Sequence, residues 1–186
     1  MQEYSLWQVQ PTKRVYIPKA NQKLRPLGIP CLADRVAQTM VKNALEPSWE
    51  ARFESHSYGF RPGRGCHDTI EQSHLRLRSG CDTWTLDADL RGAFDRLSHS
   101  FILEAIGPVP GRELIRQWLK AGYVEAEILH PTTEGAPQGG TISPLLLNVA
   151  LNGLQTLLSG YTSVRVCQPS PKAIKCQPSW ALPSFW

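Results

Sequence analysis

The sequence lacks a long apolar run, and its cysteines do not fit a disulfide framework. Its longest apolar stretch is interrupted by Asn148, Asn152 and Gln155, so no segment of about 20 apolar residues can cross a bilayer. The five cysteines are odd in number and never spaced C-x-x-C, which argues against disulfide pairing and a structural zinc site. The first ten residues contain Glu3 and no basic residue, unlike a signal peptide. These features predict a soluble protein of the cytoplasm without a membrane partner.

The positive charge is concentrated near the start of the chain. The net charge is +4, but residues 11–65 carry ten basic and four acidic residues, whereas residues 66–186 carry ten basic and eleven acidic ones. A basic first part and a mildly acidic second part favour a polyanion held by the first and a metal or reaction centre in the second. An ordinary solvated surface with unevenly spread lysines explains the charge pattern equally well.

Hydrophobic periodicity predicts an α+β chain. Its 186 residues suffice for one domain or for part of a larger one. Residues 15–18 and 24–30 are typical of a hairpin around a turn at 21–23. Helical spacing is found from Asp34 until Pro47 and then at 67–78, 98–106 and 112–121. Either Ser98 or Ser100 can cap the third of these helices. The last has a predicted buried stripe of Leu114, Ile115, Trp118 and Leu119. Residues 123–130 are expected to be extended. Ser143 is expected to cap, and Pro144 to open, an apolar helix that ends near Leu158.

Two segments carry residues suited to chemistry. Residues 84–90 alternate apolar and polar side chains like a half-buried strand, which places Asp87 and Asp89 on one face. The strand would deliver a carboxylate at its end, which suits Mg²⁺ binding, although this segment alone is better explained as an ordinary strand end with solvated aspartates. The second segment, EGAPQGGTISPLL at 134–146, has adjacent glycines before a helix and allows close backbone approach to another molecule.

Four blocks occur in order along the chain. They are VYIPK (15–19) with RPLGIP (25–30) and the pair at 34–35, SYGFRPGR (57–64), DLRGAFD (89–95), and PQGG (137–140) continuing to residue 148. With these blocks the chain resembles the reverse transcriptase domain of group II intron-encoded proteins of bacteria and organelles. The resemblance implies the fingers (14–80) and a partial palm (82–158) of a right-hand polymerase. Residues 1–13 precede this domain, and residues 159–186 are expected to form an irregular tail outside the family fold.

The resemblance implies an RNA-directed DNA polymerase that uses Mg²⁺, dNTPs, a DNA primer and an RNA template such as intron RNA. It makes Asp89 the first catalytic aspartate and, together with Leu90, a metal ligand. It assigns eight residues to nucleotide binding: Lys19, Arg25, Arg91, Gly92, Ala93, Phe94, Gln138 and Gly139. Phe94 matches the bulky side chain that excludes a ribose 2′-hydroxyl. Arg61 and Arg64 match contacts to the RNA backbone.

Structural roles compete with several of these assignments. Asp87 and Asp95 are better explained as structural residues than as metal ligands. Arg35, which belongs to the first block, fits an ion pair with a carboxylate of the fingers as well as it fits a functional role. Tyr58 and Phe60 fit the core better than stacking on bases, and none of the five histidines has metal-ligand spacing.

The chain departs from the family where further carboxylates are expected. Two-metal phosphoryl transfer needs carboxylates from two places, and the family supplies the second set from a Tyr-x-Asp-Asp hairpin beyond the glycine loop and its helix. Here the last aspartate is Asp95 and the last acidic residue is Glu134. The expectation is therefore a truncated, catalytically inactive reverse transcriptase fragment. The alternative is a non-catalytic, maturase-like fragment that binds intron RNA.

Overall fold

A mixed four-stranded sheet packs beside five helices in the described part of the chain. The computed structural model describes residues 7–19, 22–78 and 87–157. Its elements, in chain order, are β1 (Thr12–Pro18), β2 (Leu24–Ile29), α1 (Leu32–Glu50), α2 (Cys66–Arg76), α3 (His99–Ile106), α4 (Arg112–Lys120), β3 (Tyr123–Glu125), β4 (Ile128–His130) and α5 (Ser143–Leu151). This composition confirms the predicted α+β class. No helix among the described residues is long and apolar enough to cross a membrane.

The sheet joins two hairpins that lie far apart in the sequence. Strands β1 and β2 pair antiparallel, as the sequence predicts, with Arg14 opposite Gly28 and Ile17 opposite Arg25. The extended segment 123–130 forms the second hairpin, whose turn at Ala126 and Glu127 has φ values of 48° and 64°, as in two-residue turns that match strand twist. Strand β3 lies parallel to β1, which gives the order β2-β1-β3-β4.

The apolar core lies among the helices rather than on the sheet. Helices α3, α4 and α5 supply most of its fully buried side chains, including Ile102, Ile115 and Leu146 at 0–2% exposure. The predicted stripe of α4 is confirmed, since all four of its members are buried: Leu114, Ile115, Trp118 and Leu119. Of the two serines that could cap α3, Ser98 is the cap, and its side chain accepts a hydrogen bond from the backbone of Phe101.

Helix α1 does not stop at Pro47, so that prediction is wrong. The helix continues to Glu50 because Pro47 lies in its last turn, where the missing N–H removes a single hydrogen bond. Trp49, beyond the proline, is 5% exposed and packs against Phe53 with ring centroids 5.6 Å apart. This packing offsets the lost backbone bond.

Helix α5 also differs from its prediction at both ends. Ser143 is its first residue rather than its N-cap, because the hydroxyl donates to the carbonyl oxygen of Pro137 at 2.8 Å and is unavailable to the helix. The helix ends at Leu151, not near Leu158, since Asn152 is extended and Gly153 has a φ of 96°. A further helical turn covers residues 154–157.

The strand predicted at 84–90 falls partly outside the described residues, which resume at 87. Residues 87–90 have no regular structure and are exposed. A strand needs a hydrogen-bonded neighbour, and no described strand lies beside them. For residues 87–90 the strand prediction is therefore wrong.

Candidate functional site

The glycine loop at 134–140 packs directly against the segment that follows Asp89. The backbone N–H of Gly135 donates to Leu97 O and that of Ala136 to Phe94 O, both at 2.7 Å. Gly135 has a φ of 86°, and a Cβ there would lie 2.8 Å from the carbonyl oxygen of Asp95. Only glycine allows this approach, so the loop fixes the backbone beneath Phe94.

The same loop also closes onto the fingers hairpin. Gly28 of β2 donates its N–H to Gln138 O at 3.0 Å, on the free edge of the sheet. A Cβ on Gly139 would lie 2.8 Å from Gly28 O. On the other side, buried Gln38 of α1 accepts from the Thr141 N–H at 2.9 Å. Strand β2 and helix α1 therefore hold the loop that contains Gln138 and Gly139.

The loop at 57–64 joins this assembly through an aromatic contact. Phe60 meets Phe94 edge to face with ring centroids 6.1 Å apart, and Asn148 of α5 donates to Gly59 O at 2.9 Å. Phe60 is 63% exposed, so it lies at the surface and not in the core, whereas Tyr58 is half-buried. All four sequence blocks thus meet around Phe94 and Gln138.

Arg61 is buried, whereas the RNA contact that the sequence predicts for it needs an exposed side chain. Its side chain is 3% exposed, and its Nε and Nη2 atoms form a two-pronged pair with the Glu50 carboxylate, at 3.0 and 2.8 Å. Nη1 donates to the carbonyl oxygens of Glu54 and Ser57. Because these partners occupy the guanidinium, Arg61 holds the loop and is not available to a phosphate.

Arg64 remains accessible to a polyanion. It uses Nη1 to reach the carbonyl oxygens of Ser55 and Ser57, and its guanidinium lies 5.3 Å from the Tyr58 ring. Within the described part of the chain, its Nε and Nη2 atoms make no hydrogen bond. Arg35 likewise forms no ion pair with a described carboxylate, so the pairing considered for it is not observed.

The carboxylates at 87–95 lie at the surface. Asp87, Asp89 and Asp95 are exposed, as are Leu90 and Arg91. The backbone turns after Arg91 through Gly92, which has a φ of 67° and whose carbonyl accepts from Asp95 N at 2.9 Å. Among the described residues, no group of three or more His, Cys, Asp or Glu side chains could hold a metal ion.

A cavity of about 370 Å³ opens between the sheet and the glycine loop. Phe94, Asp95, Glu134 and Gln138 line one side of it, and Arg14 lines the sheet side. The cavity thus brings together predicted residues from two sequence blocks with an arginine that the prediction omitted.

The two faces of the fingers sheet carry different arginines. Alternation along paired strands places Arg14 and Gly28 on the face that lines the cavity. Arg25 pairs with Ile17 and belongs to the opposite face. The structure therefore does not bring Arg25 to the cavity that contains Phe94 and Gln138, and Lys19 does not line it either. The roles of Lys19 and Arg25 stay predictions. Only the strand register identifies Arg14 as the arginine on the cavity face.

A buried carboxylate, whose role the sequence did not predict, binds Trp118 of the cavity wall. Asp34, 1% exposed, accepts hydrogen bonds from the indoles of Trp7 and Trp118, both at 3.0 Å, and from the backbone of Gln10 and the thiol of Cys31. Burial raises the pKa of Asp34, but the four donors outweigh it and hold the pKa below its usual value. No local pattern reveals this, because the donors lie up to 84 residues away.

Comparison with known proteins agrees with the motif geometry. Residues 17–168 match the reverse transcriptase (RNA-dependent DNA polymerase) family. The chain belongs to the reverse transcriptase family. The resemblance predicted from four short blocks is thereby confirmed.

Relatives within this family include intron-encoded proteins. The chain is 42% identical over 153 residues to protein YkfC of Escherichia coli K12, covering 78% of this chain and 40% of that protein. It is 40% identical over 150 residues to the group II intron-encoded protein LtrA of Lactococcus lactis, covering 78% and 25%. It is 32% identical over 80 residues to nuclear intron maturase 1 of Arabidopsis thaliana, covering 43% and 11%. The chain therefore spans less than half the length of these relatives.

Proposed function

We propose that this chain forms the fingers and opening palm of an RNA-directed DNA polymerase related to group II intron-encoded proteins. The complete site would bind an RNA template, such as intron RNA, together with a DNA primer and dNTPs. The observation that carries the proposal is the meeting of four separate sequence blocks around Phe94 and Gln138. Structural packing alone does not require an edge-to-face contact between two accessible phenylalanines beside a glycine loop.

Each part of this assembly has a role in the proposal. The backbone of Gln138 and Gly139 is held at the edge of β2, where it would contact the nucleotide and template. Phe94, supported from below by Ala136, would stand against the sugar and exclude a 2′-hydroxyl. Arg91, Gly92 and Ala93 form the turn along which a triphosphate would lie. Lys19 and Arg25 do not line the cavity and would reach the phosphates from outside it.

The carboxylates present do not fit a pair of Mg²⁺ ions. Asp89 is exposed and, with the carbonyl of Leu90, offers three oxygen atoms from one short segment. Two ions about 4 Å apart require carboxylates from a second segment, and the sequence has none after Glu134. Asp89 and Leu90 would suit one ion held largely through water. We therefore propose that this chain alone does not catalyse polymerisation.

The test is primer extension on an RNA template with purified protein, Mg²⁺ and dNTPs. We expect no cDNA from the wild-type chain and none from Asp89→Ala. Template-dependent cDNA that disappears in Asp89→Ala, but persists in the matched exposed variant Asp87→Ala, would contradict the proposal. It would mean that a carboxylate reaches the site from elsewhere.

The second candidate is a maturase-like function: binding of intron RNA without catalysis. The exposed basic residues of the fingers favour it, including Lys13 and Arg25 on one sheet face. It needs no second carboxylate set. RNA binding without cDNA synthesis would support this candidate over the first.

A further inference from the structure

Three planar side chains contact one another in a row, here called the stack, on the face of the sheet that lines the cavity. The Arg14 guanidinium lies 3.8 Å from the centre of the Tyr123 ring. Tyr123 in turn stacks on His130 at 4.9 Å, with ring planes 15° apart. These residues come from β1, β3 and β4, so the stack runs across the sheet and ends at Arg14, which lines the cavity.

The end of this stack has unused hydrogen-bonding capacity. The Arg14 Nε atom is buried and has no hydrogen-bond partner among the residues that the structure describes. A buried donor without a partner costs free energy comparable to a lost hydrogen bond, and such groups usually have a reason. The Arg14 guanidinium contacts Tyr123 and also lines the cavity, so a flat ring in the cavity could stack on the same guanidinium.

The other walls of the cavity favour a base over a phosphate. Arg14 contributes one positive charge, whereas Asp95 and Glu134 contribute two negative charges, so the lining repels an anion. Phe94, Trp118 and Tyr123 add aromatic surface. A volume of about 370 Å³ lies in the usual range of small-molecule sites.

We propose that this cavity binds one nucleobase of unpaired RNA, stacked on the guanidinium of Arg14. The inference rests on the RNA binding proposed above and names the part of the RNA that this cavity takes. Stacking on a flat cation tolerates any base, since every base has a π-face. A chain that follows an arbitrary template needs that tolerance. The phosphates would remain outside, away from Asp95 and Glu134.

The first experiment titrates the full chain with uncharged adenosine and, separately, with ribose 5-phosphate. The reporter is the NMR signal of the Trp118 indole N–H, assigned with Trp118→Phe, because Trp118 lines the cavity. We expect a saturable shift with adenosine and none with ribose 5-phosphate. A shift with ribose 5-phosphate alone would show a phosphate site, and no shift with either would show no site. Both results overturn the proposal.

The second experiment measures affinity for single-stranded RNA. Arg14→Lys keeps the charge but loses the planar stack, so we expect binding about fivefold weaker or more with an unchanged salt dependence. The matched control is Arg52→Lys, because Arg52 also lies over an aromatic ring, Trp49 at 5.3 Å, but does not line the cavity. Equal affinities of the two variants would overturn the proposal. If the wild-type chain binds no RNA, the proposed function fails, while the adenosine titration still decides whether the cavity binds a base.

Discussion

Gly135 and Gly139 lie where a side chain cannot be accommodated. Both have a positive φ, and at both a Cβ would lie 2.8 Å from a backbone oxygen. We expect Gly135→Ala to lower the free energy of unfolding by about 1–3 kcal/mol, because strain and a backbone clash add. Gly59→Ala is the control, since a Cβ there meets no atom of the described residues within 4 Å. Urea unfolding followed by circular dichroism measures both, and equal losses would contradict the explanation.

Asp34 gives the fold a dependence on pH. Its pKa is lowered in the folded chain, so its contribution is complete above the unfolded value of about 3.9 and is lost as the pH falls through the folded pKa. We expect Asp34→Asn to lose about 2–4 kcal/mol of stability at pH 7 and to show a weaker fall in stability below pH ~4 than the wild type. Unfolding measured from pH 7 to pH 2 tests this.

Glu113 provides the comparison for Asp34. A hydrogen bond from Arg116 lowers the pKa of Glu113 to about 2, but the pair is exposed on the surface of α4. Exposed pairs contribute little to stability. Glu113→Gln should therefore be close to wild type at pH 7, and a loss as large as that of Asp34→Asn would contradict the role assigned to burial.

Among the helices, α2 has the least tertiary support. None of its eleven residues is buried, and Ile70 is 59% exposed, whereas the nine-residue α4 buries four side chains. Few buried contacts permit local opening below the global free energy. We expect the backbone amides of α2 to exchange with deuterium at least tenfold faster than those of α4. Equal protection of the two helices would show that α2 has a partner in solution.

Across the whole molecule, the basic fingers should make RNA binding sensitive to salt. Each phosphate contact to single-stranded RNA contributes about 0.7 to the slope of log affinity against log salt. Arg64→Ala should reduce this slope by about that amount. Arg61→Ala should instead destabilise the fold, because it leaves Glu50 without its partner. Filter binding at several salt concentrations, with unfolding measured in parallel, separates these effects, and a slope unchanged in Arg64→Ala would contradict the contact.

The parts of this structure that sequence could predict are those encoded locally. The hairpin and the buried stripe of α4 depend on residues within a few positions, and both predictions are confirmed, whereas the sequence narrows the cap of α3 only to Ser98 or Ser100. The hydrogen bonds of Asp34 and the burial of Arg61 depend on distant partners, so periodicity could not reveal them. Helix α1 passes Pro47 because tertiary packing of Trp49 outweighs a local signal. The site blocks were recognisable by motif, but their arrangement on two sheet faces required the strand register.

The parallel pairing of β1 with β3 has a consequence for how the chain folds. Thr12 and Gly122 meet across 110 residues, and closing so long a loop costs entropy before any contact offsets it. During synthesis, β1 and β2 can pair as soon as they emerge, but the edge of β1 that receives β3 stays open until the ribosome has passed His130. Until then that edge is a template for strands of other chains. The hairpin is thus the earliest part of the fingers to form and the longest exposed to mispairing.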